Sequence, residues 1–189
     1  GQGKWSDPNH WSKTSGGSSQ SCIPGPVDQV VFDKNSFSTS LDTLFLDLRV
    51  NTCGYLTYAS TANSAIFHST DSNTFRTTGN IVIYGKPLNA MRGKWIVNLT
   101  GITASLRSSG FPFTRLEIDC DNDGAGIFLN DSLTVLGFNE GNYDALTLKS
   151  GVFFTNNQPL NVRRFASYGQ KSRQLKLGTS NLYMRDAWE

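Results

Sequence analysis

The sequence predicts an all-β protein: a right-handed parallel β-helix whose first coil is covered by a tryptophan-containing N-terminal cap. Three observations predict this fold. No window of a dozen residues keeps the apolar spacing of an amphipathic helix, because Gly, Pro or Asn/Ser clusters interrupt each one. Short apolar alternations replace that spacing. In the second half of the chain they recur with a period of about 30 residues, which is typical of stacked coils.

The predicted cap, residues 1–40, carries Trp5 and Trp11 around an Asp-Pro-Asn turn. An open end of a solenoid exposes strand edges and the cross-section of its core, so something must cover the first coil. The segment is rich in turn residues, and it also holds apolar side chains that can lie over that end: Ile23, Val27, Val30, Val31 and Phe32. We therefore predict that the two tryptophans are structural cap residues and do not form a ligand platform.

Residues 41–189 are predicted to form the coils of the same single domain. Strands are expected at 44–48, 81–84 and 95–99, and a strand at 30–32 precedes them. In the second half, three short strands repeat in each unit: 116–120, 127–129 and 133–136, then 146–148, 152–154 and 160–162, then 175–177 and 182–184. Three strands per unit indicate three sheet faces, stacked at ~4.8 Å. An antiparallel β-sandwich is the alternative, since it also has short strands and frequent turns.

Composition excludes two classes of partner. The net charge is +2 with Lys and Arg scattered, so no basic stripe is available for nucleic acid. No apolar run reaches the ~18 residues of a membrane span, so membrane insertion is not expected. The last apolar alternation, at 182–184, lies close to the final residue without a polar cap, which suggests a fragment of a longer chain.

Three cysteines lack the paired short spacings of a zinc site, and their odd number leaves at least one unpaired. A disulfide between Cys22 and Cys53 is one possibility. Cys120 alternates along an extended strand with Asp119 and Asp121, so its side chain is predicted to point inward as a free, buried thiol.

The stretch from Asp119 to Gly124 is the sharpest local signal for a metal. Asp119, Asp121 and Asp123 fall on one side of an extended strand, and carboxylates this close repel unless a cation compensates them. Calcium suits such oxygen ligands. The match to an EF-hand loop fails at the twelfth position, which is Asn130 instead of Glu. A solvated acidic turn between coils is therefore the competing interpretation.

No catalytic motif is present. The two histidines, His10 and His68, belong to no nucleophile or metal pattern, so the chain is not expected to be an enzyme. Polysaccharide lyases and hydrolases with a β-helix fold place clustered Asp residues beside a Lys or Arg base on one sheet face. Asp119, Asp121 and Arg115 could be arranged in this way, so an enzyme of that class is an alternative.

Sugar binding needs exposed aromatic rings with amides beside them. The candidate ligand-binding residues are Tyr143, Asn142 and Asn139. Further aromatic side chains that could contribute are Tyr55, Tyr58, Tyr84 and Phe138.

Several segments resemble large, repetitive surface proteins of the Bacteroidetes. They are "GKWSDPNHWS", "CIPGPVDQVVFDKNSFS", "LNDSLTVLG", "LTLKSGVFFTNNQPLNVRRFAS" and "RQLKLGTSNLYM", and together they span most of the chain. The proteins they resemble are gliding-motility adhesins and other cargo of the type IX secretion system. The resemblance implies a tryptophan-bearing opening followed by β-helical coils, secretion to the cell surface and a Cys22–Cys53 disulfide.

We therefore expect a non-catalytic structural or adhesive module of a large cell-surface protein, attached to surfaces or glycans by weak, multivalent contacts. The expected partners are neighbouring modules of the same long chain and surface polysaccharide. No cofactor other than calcium is expected. A dedicated carbohydrate-binding domain is the alternative outside the enzyme class.

Overall fold

A computed structural model describes residues 2–19, 22–99, 103–121, 124–137 and 145–188. The chain forms a parallel β-helix of about six turns. A short 3-10 helix lies at Pro8–His10. The strands, in chain order, are β1 (Gly3–Lys4), β2 (Gln29–Phe32), β3 (Thr43–Phe45), β4 (Val50–Cys53), β5 (Tyr55–Tyr58), β6 (Ile66–Ser69), β7 (Thr74–Thr77), β8 (Ile81–Ile83), β9 (Leu88–Met91), β10 (Lys94–Val97), β11 (Thr103–Arg107), β12 (Leu116–Asp119), β13 (Gly126–Leu129), β14 (Leu133–Val135), β15 (Leu146–Phe154), β16 (Leu160–Ala166), β17 (Arg173–Lys176) and β18 (Leu182–Trp188).

The strands lie on three faces, as the sequence predicts. The first face holds β4, β7, β10, β12, the first half of β15 and the second half of β16, and the second holds β2, β5, β8, β11, β13, the second half of β15 and β17. The third is made by β1, β3, β6 and β9, and in the later coils by β14 and the first halves of β16 and β18. Every pairing between described strands is parallel, so the antiparallel sandwich is wrong.

Inward side chains stack from one coil to the next and form the core. On the first face the paired positions are Phe75, Trp95, Leu116, Leu146 and Phe165. On the second they are Val30, Leu56, Ile81, Leu106 and Leu129. None of these ten side chains is more than 3% exposed. Burial of each such side chain contributes about 1.5–3 kcal/mol, and no coil could achieve it alone.

The number of residues per coil is not constant at the predicted period of about 30. Leu116 pairs with Leu146, about 30 residues on, as predicted. Leu146, however, pairs with Phe165 only about 20 residues later, and Leu175 pairs with Phe153 on the second face. The prediction that 175–177 opens a third unit, equivalent to 116–120 and 146–148, is therefore wrong. The reason is that two corners of this coil lack a loop: β15 passes from the first face to the second at Gly151, and β16 passes from the third face back to the first after Val162.

Buried polar side chains hold the coil corners together. Ser150 Oγ donates to the Cys120 carbonyl over 2.6 Å, and Ser108 Oγ donates to the Ser132 carbonyl over 2.7 Å. Thr77 Oγ1 and Thr155 Oγ1 donate to carbonyls of neighbouring coils in the same way. Each buried hydroxyl thus finds an acceptor within the protein, which removes the cost of burying it unpaired.

The tryptophans of the opening segment pack at the N-terminal end of the core. Trp5 is 0% exposed. Its ring lies edge-on to Trp11 and Phe75, at centroid distances of 4.9 Å and 5.3 Å. Trp11 is half-buried and its Nε1 donates to the Trp5 carbonyl over 2.8 Å. Both indoles therefore serve the packing of this end.

For three apolar side chains of this segment the prediction that they lie over the core is wrong. Ile23, Val27 and Val31 are 41%, 88% and 48% exposed, so they do not lie over the core. Residues 1–40 also contribute β1 and β2 to the sheets, so this segment supplies part of the first coil as well as covering it. Strand alternation explains the exposure of Val31, because its neighbours Val30 and Phe32 face inward and leave it on the outer side.

The structure does not contain the disulfide between Cys22 and Cys53. Both are free thiols: Cys22 is exposed, whereas Cys53 ends β4 with its side chain 0% exposed. Burial raises the pKa of Cys53 to about 12, which keeps it protonated and unreactive. Cys120 is a free, fully buried thiol, as predicted.

Candidate functional site

A groove of about 440 Å³ opens beside the cap. One wall is the loop 12–17, the other is β2 with the turn 33–37, and Trp11 also lines it; we call it the N-terminal groove. It is lined by Gly3, His10, Trp11, Ser12, Lys13, Thr14, Ser15, Gly16, Gly17, Ser19, Gln29, Val31, Phe32, Asp33, Asn35, Ser36, Phe37, Thr43 and Leu44. Its volume is within the ~300–1,000 Å³ of small-molecule sites.

Local hydrogen bonds give the loop 12–17 its shape. Ser12 Oγ donates to the Thr14 carbonyl over 2.8 Å, and the Gly17 N–H donates to the same oxygen over 3.0 Å. Gly16 has a φ of 65°, a conformation that costs residues with a Cβ about 1–2 kcal/mol. The loop is therefore a defined turn that its own polar residues stabilise.

A second set of hydrogen bonds joins this loop to the opposite wall. Asn35 Nδ2 donates to Ser15 Oγ over 2.8 Å. A hydrogen bond from Ser15 and one from the backbone N–H of Asn35 hold the pKa of Asp33 below its usual range, against the opposing effect of burial. Asp33 therefore stays ionised at neutral pH, and the two walls are held in place before any ligand arrives.

A different polar cluster lies on the outer side of the first face. Glu117 is 4% exposed, and its carboxylate oxygens lie 2.6 Å from Lys94 Nζ and 3.2 Å from Lys149 Nζ. Burial alone would lower the pKa of Lys149, but its attraction to Glu117 and hydrogen bond with it prevail and raise the pKa. Both lysines thus act as cations that compensate the carboxylate.

Replacing Glu117 by Gln is expected to lower the free energy of unfolding by about 1–2 kcal/mol, because two ammonium groups lose their counter-charge. Fully buried pairs cost about 3–5 kcal/mol to break, but the lysines here are partly exposed. Because the pKa of Lys149 is raised in the folded state, its share of the stability is complete below the unfolded pKa and is lost as the pH rises through the folded pKa.

Urea unfolding of the wild-type and Glu117→Gln proteins, at neutral pH and in strong alkali, measures this difference in the free energy of unfolding. Asp71→Asn is the matched control, since it removes a carboxylate from the exposed pair with Arg92, and no change is expected from it. Equal stability of the wild-type and Glu117→Gln proteins at neutral pH would contradict the role of Glu117.

The carboxylates of the candidate calcium turn already have partners within the protein. Ser150 Oγ, whose proton goes to the Cys120 carbonyl, lies 3.0 Å from Asp119 Oδ1. Asp121 Oδ1 lies 3.3 Å from Asn98 Nδ2 and 3.6 Å from Lys171 Nζ. Asp123 lies outside the described residues, and within the described ones no group of three metal-ligating side chains forms. The lysine supplies part of the charge that a cation would supply.

Calcium at this turn stays a prediction. It predicts that EDTA lowers the melting temperature and that Asp121→Ala removes this dependence, because a ligand that binds only the folded state stabilises it. Thermal unfolding of both proteins with EDTA and with added calcium measures the effect. Identical melting of the wild-type protein in the two conditions would contradict a tight site.

The residues predicted to bind sugar do not form one site among the described residues. Tyr143, Asn142 and Asn139 lie outside the described residues. Tyr58 is 0% exposed and its hydroxyl donates to the Asn63 carbonyl, so it is a core residue. Tyr84 is half exposed with the Arg107 guanidinium 5.3 Å from its ring centre.

A further aromatic row was not foreseen on the outer side of the second face. The rings of Phe128 and Phe154 stack at 4.0 Å and an angle of 4°, and Lys176 Nζ lies 4.8 Å from the Phe154 ring centre. Their positions pair in register from coil to coil. Such a ladder stabilises neighbouring strands, by about 0.5–1.5 kcal/mol for an aromatic pair.

The N-terminal groove was also not foreseen from the sequence. Its walls come from Ser, Thr, Gly and Asn residues that carry no motif, and Trp11 was interpreted only as a cap residue. One sequence feature could have predicted the groove: a tryptophan lies next to a turn rich in hydroxyl groups, 12–19, and a second turn with hydroxyl and amide groups follows at 33–36.

Comparison of the chain with protein-family models, with curated proteins and with solved structures found no match. Across the parts of the chain that the structure describes, no helix has the length and apolar character to cross a membrane.

Proposed function

We propose that the chain is a non-catalytic structural and adhesive module of a large bacterial cell-surface protein, exported by the type IX route that its sequence resemblance implies. The observation that carries the proposal is the difference between the ends of the β-helix. Trp5 and Trp11 cover the N-terminal end. At the other end, among the strands that the structure describes, β17 pairs only with β15 and β18 only with β16.

The two open strands support contact with a neighbouring module. Leu182 packs partly against the core, and Tyr183 and Met184 are 58% and 40% exposed. Unpaired parallel edges beside exposed apolar side chains are suited to a further coil that continues the same sheets. This supports partners of the expected kind, modules of the same long chain.

The charges of the β-helix surface support a non-catalytic role. A lysine acts as a general base when its pKa is lowered, whereas the pKa of Lys149 is raised. Glu117 is shared between two cations, and Asp119 and Asp121 are engaged by Ser150, Asn98 and Lys171. These side chains are engaged with one another within the protein, which supports a structural role for them.

Weak binding that becomes strong by repetition is the expected behaviour. The chain, biotinylated at its C-terminus, is applied to a glycan array as a monomer and as a streptavidin tetramer. A single weak site gives a Kd in the ~mM range, and the tetramer is expected to gain on the order of 10²- to 10⁴-fold in apparent affinity. Micromolar binding by the monomer, or no retention of the tetramer, would contradict the adhesive role.

The enzyme alternative is tested separately. Incubation with uronic-acid polymers is expected to yield no unsaturated oligosaccharides. Release of such products, abolished by Asp121→Asn, would overturn the non-catalytic assignment.

A carbohydrate-binding domain is the second candidate. The N-terminal groove favours it, because it combines an indole with hydroxyl, amide and carboxylate groups in a preformed concavity.

A further inference from the structure

The N-terminal groove has a composition that restricts what it can bind. Its lining combines six hydroxyl and two amide side chains with apolar ones, and it holds one carboxylate, Asp33, and one ammonium group, Lys13. An anionic ligand would meet the ionised Asp33, and a cationic one would meet Lys13. The groove therefore suits a ligand that is uncharged and rich in hydroxyl groups.

Apolar surface is placed where such a ligand would need it. Trp11 is half-buried and lines the groove, and Val31, on the outward side of β2, is 48% exposed. An indole and an aliphatic side chain can pack against the C–H face of a sugar ring. The exposed Gln29, two residues before Val31, supplies an amide with both donors and an acceptor on the same side of the strand.

From these observations we infer that the N-terminal groove is a saccharide-binding subsite that takes a neutral mono- or disaccharide. Trp11 and Val31 contact the apolar face of the sugar. Gln29 and Asp33 bind its hydroxyl groups, and the Asn35–Ser15 hydrogen bond keeps the two walls at a fixed separation. This inference rests on the proposed adhesive function and locates its contact at the capped end, away from the Tyr143 region that the sequence suggested.

The fixed walls explain how a shallow groove can bind at all. Ordering a loop on binding costs about 0.5–1.5 kcal/mol for each side chain immobilised, which would exceed the gain from a few sugar hydroxyls. Here the bonds within 12–17 and the bond from Asn35 to Ser15 are made without ligand. Removing the Asn35 amide should therefore weaken binding even though the side chain need not contact the sugar.

Titration of the ¹⁵N-labelled chain with cellobiose, maltose, lactose and N,N′-diacetylchitobiose, followed by amide chemical shifts, tests the inference. At least one sugar is expected to shift the amides of 12–17 and 29–36, with a Kd in the ~mM range. Gln29→Ala and Asn35→Ala are each expected to raise that Kd at least about fivefold. Gln170→Ala, an exposed glutamine outside the groove, is the matched control and should leave it unchanged.

Three results would overturn the groove assignment: no shifts with any of the four sugars, shifts confined to other parts of the chain, or a Kd unaffected by both groove variants. Folding of each variant is checked by its unfolding midpoint, so that a global loss of structure is not counted as loss of a site. The glycan-array result separates the two proposals, because array binding that persists in both groove variants overturns the groove and leaves the adhesive function standing.

Discussion

Replacement of Gly151 by Ala is expected to lower the free energy of unfolding by about 2–5 kcal/mol. Gly151 has a φ of 83°, and it is the corner where β15 leaves the first face for the second. A Cβ there would lie 2.6 Å from Cys120 Sγ and 2.7 Å from the Ala125 carbonyl oxygen. The expected loss combines backbone strain of about 1–2 kcal/mol with overpacking of about 1–3 kcal/mol.

Gly110 provides a control for the backbone term. Its φ is 82°, close to that of Gly151, but no atom lies within 4 Å of a Cβ built on it. Gly110→Ala should therefore show the strain alone, about 1–2 kcal/mol. Urea unfolding of the two variants measures both terms, and equal losses would show that the corner does not pack against Cys120 and Ala125.

Replacement of Trp5 by Ala is expected to cost about 3–5 kcal/mol, the range for an aromatic side chain removed from a packed core. Trp5 is 0% exposed and lies between Trp11 and Phe75. Its Nε1 is buried without a hydrogen-bond partner, so the indole contributes volume and contact area instead of a polar interaction. Trp5→Phe should therefore retain more of the stability than Trp5→Ala.

The matched control for Trp5 is an aromatic side chain at the opposite end. Tyr183 lies on β18 and is 58% exposed, so Tyr183→Ala is expected to leave the unfolding midpoint almost unchanged. Thermal and urea unfolding compare the variants. A Trp5→Ala protein as stable as the wild type would show that the opening segment does not close the core.

The second half of the chain is the part of the fold that the sequence predicts best. Strands expected at 116–120, 127–129 and 133–136 correspond to β12, β13 and β14, and the burial of Cys120 follows from strand alternation. These strands carry Leu, Ile and Val at the inward positions. Their pattern is visible because the inward face is apolar and the outward face is not.

Several strands of the first half were not foreseen, because polar side chains occupy inward positions there. In β7, Phe75 and Thr77 both face inward, and Thr77 satisfies its hydroxyl by donating to the Gly54 carbonyl of the neighbouring coil. A carbonyl one coil away is invisible in a sequence, so a Thr at such a position looks like a surface residue. The varying coil length hides the repeat in the same region, since Thr74 and Lys94 are paired only about 20 residues apart.

The candidate site could be predicted less well than the fold. Trp11 was predicted to be a cap residue, but its second role, as a lining residue of the groove, depends on how the loop 12–17 folds against the turn 33–36. That contact joins segments about 20 residues apart through single side-chain hydrogen bonds. Such a contact occurs once and leaves no periodic pattern in the sequence, whereas the inward stacking of apolar side chains repeats at every coil.

The parallel stacking of coils is the claim on which the cap, the corner and the groove all depend. Scalar couplings across backbone hydrogen bonds, measured by NMR, test it most directly. Couplings are expected from the amide nitrogens of Trp95, Leu116 and Leu160 to the carbonyl carbons of Arg115, Ala145 and Asn181, one coil further along the chain in each case. Reciprocal couplings, in which two residues exchange both hydrogen bonds as antiparallel neighbours do, would contradict it.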